Sequence, residues 1–107
     1  MYKSKRSKAC DISQSVKERV WQRDNQHCIC CGNSFAMPNA HFIARSKGGL
    51  GIEENIVTLC ANCHRRFDHT LYREQFKEYI ENYLKIKYPN WNKEKLVYRK
   101  WNDAGIL

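Results

Sequence analysis

Four of the six cysteines fall in two Cys-x-x-Cys pairs, Cys28/Cys31 and Cys60/Cys63, and this spacing constrains the chain more than anything else in it. A Cys-x-x-Cys turn sets two sulfurs on one coordination sphere. Two such turns complete the tetrahedral thiolate shell that structural zinc prefers. Any fold of this chain must therefore bring the residues around 28 and those around 63 to one point. Cys30 also lies in the first knuckle, so a ligand set containing it stays open. Gly32 directly after Cys31 favours Cys31, because a knuckle often requires a positive φ nearby. Cys10 is expected to be a bystander.

A chain of 107 residues is one domain with tails. Its core is modest, so a structural metal is a natural supplement. Nineteen Lys and Arg against eleven Asp and Glu give a formal net charge of +8. That excess favours a polyanionic partner, of which nucleic acid is the commonest. Four thiolates on Zn²⁺ would carry about −2, so the working charge is lower than the formal one. The basic N-terminus has no apolar core after it, which argues against a secretory signal. No apolar run reaches bilayer-spanning length, so no membrane partner is expected. Thiolates on zinc in a reducing cytoplasm fit better than disulfides.

Along the chain, residues 1–9 read as a basic flexible arm, with Lys3, Lys5, Arg6 and Lys8 set among serines. Residues 10–88 read as the folded domain and 89–107 as a C-terminal extension. Ser13 or Ser15 caps a helix running to about Asp24, with Val16 and Val20 on its inner face. Phe35 to Met37 begin a strand, Pro38 and Asn39 break it, and Ala40 to Ala44 form another. Arg45 to Gly51 is a loop. Ile56 to Leu59 reads as a further strand, followed by a helix from Ala61 to about His69. Leu71 to Lys87 is amphipathic at helical spacing, and Pro89 stops it. A short helix is expected within residues 91–100, with Trp91, Leu96, Tyr98 and Trp101 anchoring the tail.

Three pieces carry a resemblance: C-x-x-C-G at residues 28–32, H-x-I-x-x-S-x-G-G at 41–49, and N-I-V-x-L-C-x-x-C-H at 55–64. Together they resemble the HNH endonucleases, over roughly residues 16 to 70. The chain looks like the small stand-alone HNH proteins of bacteriophage genomes. The resemblance implies an α+β fold: a zinc-stapled ββα-metal domain, here with flanking N- and C-terminal helices. It implies His41 as general base and His64 as a metal ligand. Asn55 would be the middle residue, which hydrogen-bonds within the connecting loop and holds the strand of the base. It implies a DNA endonuclease, nicking with low sequence specificity, in the cytoplasm of a host cell if phage-encoded. The chain would act as a monomer or homodimer, with an accessory role beside a phage terminase as an alternative.

Phosphodiester hydrolysis needs an activated water and a stabilised leaving oxygen, which an imidazole near its working pH and a divalent metal can supply. Many members of the family place Asp or His as a metal ligand immediately before the base. This chain has Ala40, which cannot ligate, so a catalytically weak zinc-stabilised DNA-binding module is the rival reading. Asp68 offers a replacement. It lies at i+4 from His64, on the same helical face, much as colicin-type nucleases resemble this layout. A His plus a carboxylate suits Mg²⁺, Mn²⁺ or Ni²⁺. His69, at i+5, would point elsewhere on a regular helix. His27 is expected to be structural or exposed. Arg45, Lys47, Arg65 and Arg66 flank the expected site and are candidates for phosphate contact.

Overall fold

The computed structural model describes residues 4–69 and 71–99. Expectations that involve Lys3, Lys100 or Trp101 fall outside them. The chain forms helix α1 (Lys5–Cys10), helix α2 (Gln14–Arg23), strand β1 (Ala36–His41), strand β2 (Ile56–Cys60), helix α3 (Ala61–Asp68) and helix α4 (Arg73–Lys87). Short 3-10 turns cover Arg45–Lys47, Glu53–Asn55 and Lys93–Leu96. This is a small α+β fold: two antiparallel strands, a long loop between them, and a helix directly after the second strand.

The strands pair as Ala36 with Cys60, Met37 with Leu59, Ala40 with Val57 and His41 with Ile56. Pro38 and Asn39 together oppose Thr58, which is a β-bulge. The expected break at Pro38 is therefore a kink inside one strand, at a point where proline's missing N–H costs no ladder bond. The strand also ends at His41, three residues earlier than Ala44. Opposite the bulge, the backbone of Thr58 finds other partners. Its N–H donates to the Asp24 carboxylate at 2.9 Å, and its carbonyl accepts from Ile29 at 3.0 Å.

All five residues of β2 are buried, because both of its faces are covered. Ile56 packs with Val16 and Val20 of α2. Val57 and Leu59 belong to the main core with Phe42, Phe67, Ile80, Leu84 and Leu96. Helix α2 starts at Ser13, whose hydroxyl accepts from the Val16 N–H at 3.2 Å, settling the cap between the two serines. Helix α4 begins at Arg73, two residues later than its apolar pattern suggested, since Leu71 stands exposed.

Two corrections concern the ends. The basic stretch read as an unstructured arm carries α1, capped by Ser4 accepting from the Ser7 N–H at 3.1 Å. It is tied down by long-range bonds: Gly51 N–H to Ala9 O at 3.0 Å, and Arg6 to Ser46 O at 3.1 Å. A side chain at Gly51 would lie 2.0 Å from the Asp11 carbonyl, so only glycine lets the loop approach α1 this closely. In the C-terminal extension the expected helix is only the 3-10 turn at Lys93–Leu96. The next residues pair with the same loop, through Leu50 N–H to Leu96 O and Tyr98 N–H to Gly48 O, both 2.8 Å.

Candidate metal centre and active site

The two cysteine knuckles meet. The Sγ atoms of Cys28, Cys31, Cys60 and Cys63 all lie within 4.8 Å of one another, and all six cysteines are free thiols. Sulfurs bound at about 2.3 Å to one tetrahedral ion sit a little under 4 Å apart, so the set fits a single zinc. Its donors are chemically uniform and three of the four are buried. Gly32 adopts φ +80°, as the knuckle turn demands. Cys60 serves twice, since its sulfur also accepts from the Cys63 N–H at 3.4 Å and so caps α3. Cys30 stands outside the set. Burial, with the Cys28 sulfur close by, pushes its thiol up to about 12. The cluster pins the turn ahead of β1 to the junction of β2 and α3.

The possible catalytic residues stand on the elements so pinned. His41 ends β1, Asn55 ends the 3-10 turn before β2, and His64 follows Cys63 on α3. Asn55 is fully buried and its side chain is fully used. Its Oδ1 accepts from the Ile43 N–H at 2.8 Å, and its Nδ2 donates to the carbonyls of Leu50 at 2.9 Å and Ile43 at 3.2 Å. Its own carbonyl accepts from the Phe42 N–H at 2.7 Å. Asn55 therefore closes the 43–50 loop and fixes the chain just after His41.

His41 is half-buried, and its Nε2 lies 2.9 Å from the carbonyl of Cys10. A carbonyl can only accept, so Nε2 carries the proton. The neutral ring then offers its lone pair at Nδ1. Burial lowers the pKa of His41 from the ordinary 6.5. The Cys10 bond opposes that, and the charges of Arg45 and His64 reinforce it. Cys10 stays outside the cysteine cluster, as expected of a bystander to the metal set. It is buried, and its carbonyl sets the tautomer of His41. Sequence reasoning missed it because the contact is made by the main chain, thirty-one positions away.

His64 is half-buried and Asp68 exposed, and α3 runs unbroken between them, so both lie on one face a turn apart. Asp68 also accepts from Arg73 through its main-chain oxygen at 2.9 Å. His69 caps the helix in extended conformation. Its Nδ1 accepts from the Leu71 N–H at 3.2 Å and its ring lies against Tyr72. Ala40 is wholly buried in the core that also holds Cys63 and Phe67, so position 40 contributes packing alone. His27 is exposed and turned onto the Asn25 carbonyl.

The four basic candidates are all exposed. Arg45 bonds the Ser7 carbonyl and hydroxyl, both at 3.1 Å, and pairs with Asp11 at 2.6 Å. Arg65 donates to Asn62 at 2.8 Å, and Arg66 lies over the Tyr72 ring. Among the described residues, no helix is long and apolar enough to cross a membrane.

The chain matches no curated protein and no solved structure. Residues 28–70 match the family model of the HNH endonucleases, a segment that runs from the first zinc-knuckle cysteine to just past α3. The segment also has the strand pair, the connecting loop, the following helix and the cysteine cluster expected of a ββα-metal unit. Residues 28–70 are therefore similar to an HNH endonuclease domain in sequence and in the order of their elements.

Proposed function

We propose that this chain is a metal-dependent DNA endonuclease that nicks one strand per active site with little sequence preference, His41 being its general base. The observation that carries the reading is the bond from His41 Nε2 to the Cys10 carbonyl. It leaves Nδ1 as the acceptor, and burial keeps the ring neutral near physiological pH. In hydrolysis Nδ1 would take a proton from water as its oxygen attacks phosphorus, while the bond from phosphorus to the 3′ oxygen breaks and that oxygen leaves, to be protonated as the 3′-hydroxyl. Asn55 holds the loop that follows, so the ring stays aimed.

His64 and Asp68 would hold the divalent metal. An imidazole and a carboxylate one turn apart leave open positions for water and phosphate oxygens, which suits Mg²⁺, Mn²⁺ or Ni²⁺. When bound, such an ion stabilises charge on the phosphate and the leaving oxygen. Sequence preference is expected to be low because Arg45, Lys47, Arg65 and Arg66 suit phosphates, which carry no base information.

The burial of Ala40 favours one other reading, a zinc-stabilised DNA-binding module with little or no catalysis. Nicking of supercoiled plasmid, with each of the three metals, separates the two. The wild type is expected to relax the plasmid. His41→Ala should cut at least a hundredfold more slowly, in keeping with the roughly 10²–10⁴ typical of general-base catalysis. Asp68→Asn should raise the metal concentration needed for half-maximal rate. Equal, metal-insensitive relaxation by wild type and His41→Ala would leave only the binding module.

A further inference from the structure

Helix α1 lies outside the family segment, yet it borders the reaction centre. Ser4, Arg6, Ser7 and Cys10 from α1 and its cap face Arg45 and Ser46 across a cleft of about 470 Å³. That volume is within the range of small-ligand clefts. Cys10 belongs to both places: it lines this cleft, and its carbonyl accepts the hydrogen bond from His41 Nε2. Anything seated in the cleft therefore sits next to the base.

The lining suits an anion. Two guanidiniums and three hydroxyls converge there. Both guanidiniums are held in place. Arg6 donates one bond to the Ser46 carbonyl at 3.1 Å, and Arg45 is fixed by Ser7 and Asp11. A guanidinium has five donors, so these anchors leave further N–H groups on each. Asp11 offsets the charge of Arg45, and Arg6 then supplies the net positive charge. Fixed arginines bind phosphate well because their ordering cost is met before the ligand arrives.

We infer that the cleft between α1 and the loop after β1 is a subsite for a DNA backbone phosphate neighbouring the scissile one, with Arg6 its principal charge. This rests on the endonuclease reading above. Arg6 touches neither the base nor the candidate metal ligands in the described contacts, so its loss weakens DNA binding and leaves the chemical step alone.

The test is equilibrium binding of a fluorescently labelled DNA duplex to the full zinc-loaded chain across a salt series, without catalytic metal. Nicking rates at saturating DNA are measured in parallel. Arg6→Ala is expected to raise Kd roughly tenfold at low salt, as loss of a charge-assisted bond does. The slope of log affinity against log salt should become shallower by about 0.9, the share of one phosphate. The rate at saturation should stay within twofold of wild type. Arg6→Lys keeps the charge and should restore the salt slope. Lys17→Ala, lining a different cleft beside Trp21, is the charge-matched control.

If Arg6→Ala binds and titrates with salt as Lys17→Ala does, the subsite is wrong while the endonuclease reading stands. If Arg6→Lys fails to restore the slope, the effect comes through packing of α1, and the subsite is again wrong. A wild type that neither binds nor cuts DNA overturns both.

Discussion

On the proposed endonuclease reading the chemistry turns on His41, and its surroundings set the direction of the pH dependence. Burial lowers its pKa below 6.5, Arg45 and His64 add to that, and the Cys10 carbonyl and Asp11 work against it. A base must be unprotonated, so cutting should follow an acid limb whose midpoint lies below 6.5, with a plateau above. His41→Ala should lose that limb together with the rate. The same shift acts on stability. Between the folded and unfolded pKa values the unfolded chain binds more protons, so stability is complete above 6.5 and declines as pH falls from there. A rate profile from pH 5 to 8, beside melting curves at the same values, checks both. A limb centred above 7 would mean that His41 is not the group titrating, or that its ring is not held by Cys10.

At the level of elements, a buried ionic knot fixes how α2, β2 and α4 meet. Asp24 is 5 % exposed at the end of α2. It accepts from Arg23 Nε and Nη2 at 2.7 and 3.0 Å, from the Tyr83 hydroxyl at 2.6 Å and from the Thr58 N–H at 2.9 Å. Arg23 also donates to the carbonyls of Glu53 at 2.8 Å and Ile56 at 2.7 Å, and its ring-facing side meets Tyr83 and Tyr88. Burial opposes the Arg23 charge, yet Asp24 outweighs it and holds the guanidinium above its ordinary range. Removing Asp24 strands that charge, so Asp24→Ala is expected to cost about 3–5 kcal/mol. Urea melts read it as a lower midpoint at unchanged slope. A loss under about 1 kcal/mol would mean that Arg23 reaches water instead. The knot was not legible in the sequence, where Arg23 and Asp24 look like an ordinary charged helix end. The cysteine pairs, α2 and α4 were legible because ligand spacing and the 3.6-residue period are local signals. The bulge at Pro38 and Asn39 read as a break, since only the partner strand shows that pairing resumes at Ala40. Helix α1 was hidden for the same reason: its six residues are held by Gly51, Ser46 and Arg45, all far along the chain.

For the whole molecule, the cysteine cluster decides whether these elements stay together. The sheet has two strands, a number rarely stable by itself. Three of the four cysteines are counted within the main core, beside Phe67, Ile80 and Leu84. Structural zinc in finger peptides is worth about 10–16 kcal/mol, against about 5–15 kcal/mol for the net stability of a whole domain. Removing a metal of that value from these four cysteines is expected to unfold the core, because β1, β2 and α3 all converge on them. Metal analysis of the purified chain is expected to give about one zinc per molecule, the ratio for four thiolates at one closed site. Mild chelation should leave it bound. Cys63→Ser should lower both zinc content and melting temperature, and His64, one residue on, should lose its setting in α3, so nicking falls with the fold. Cys30→Ser is the informative comparison, since Cys30 lies in the same knuckle but outside the four. It should keep the zinc and most of the stability. A folded, zinc-free chain with an unchanged melting temperature would show that the thiols pack without metal, and the division of labour between clamp and reaction centre would fail with it.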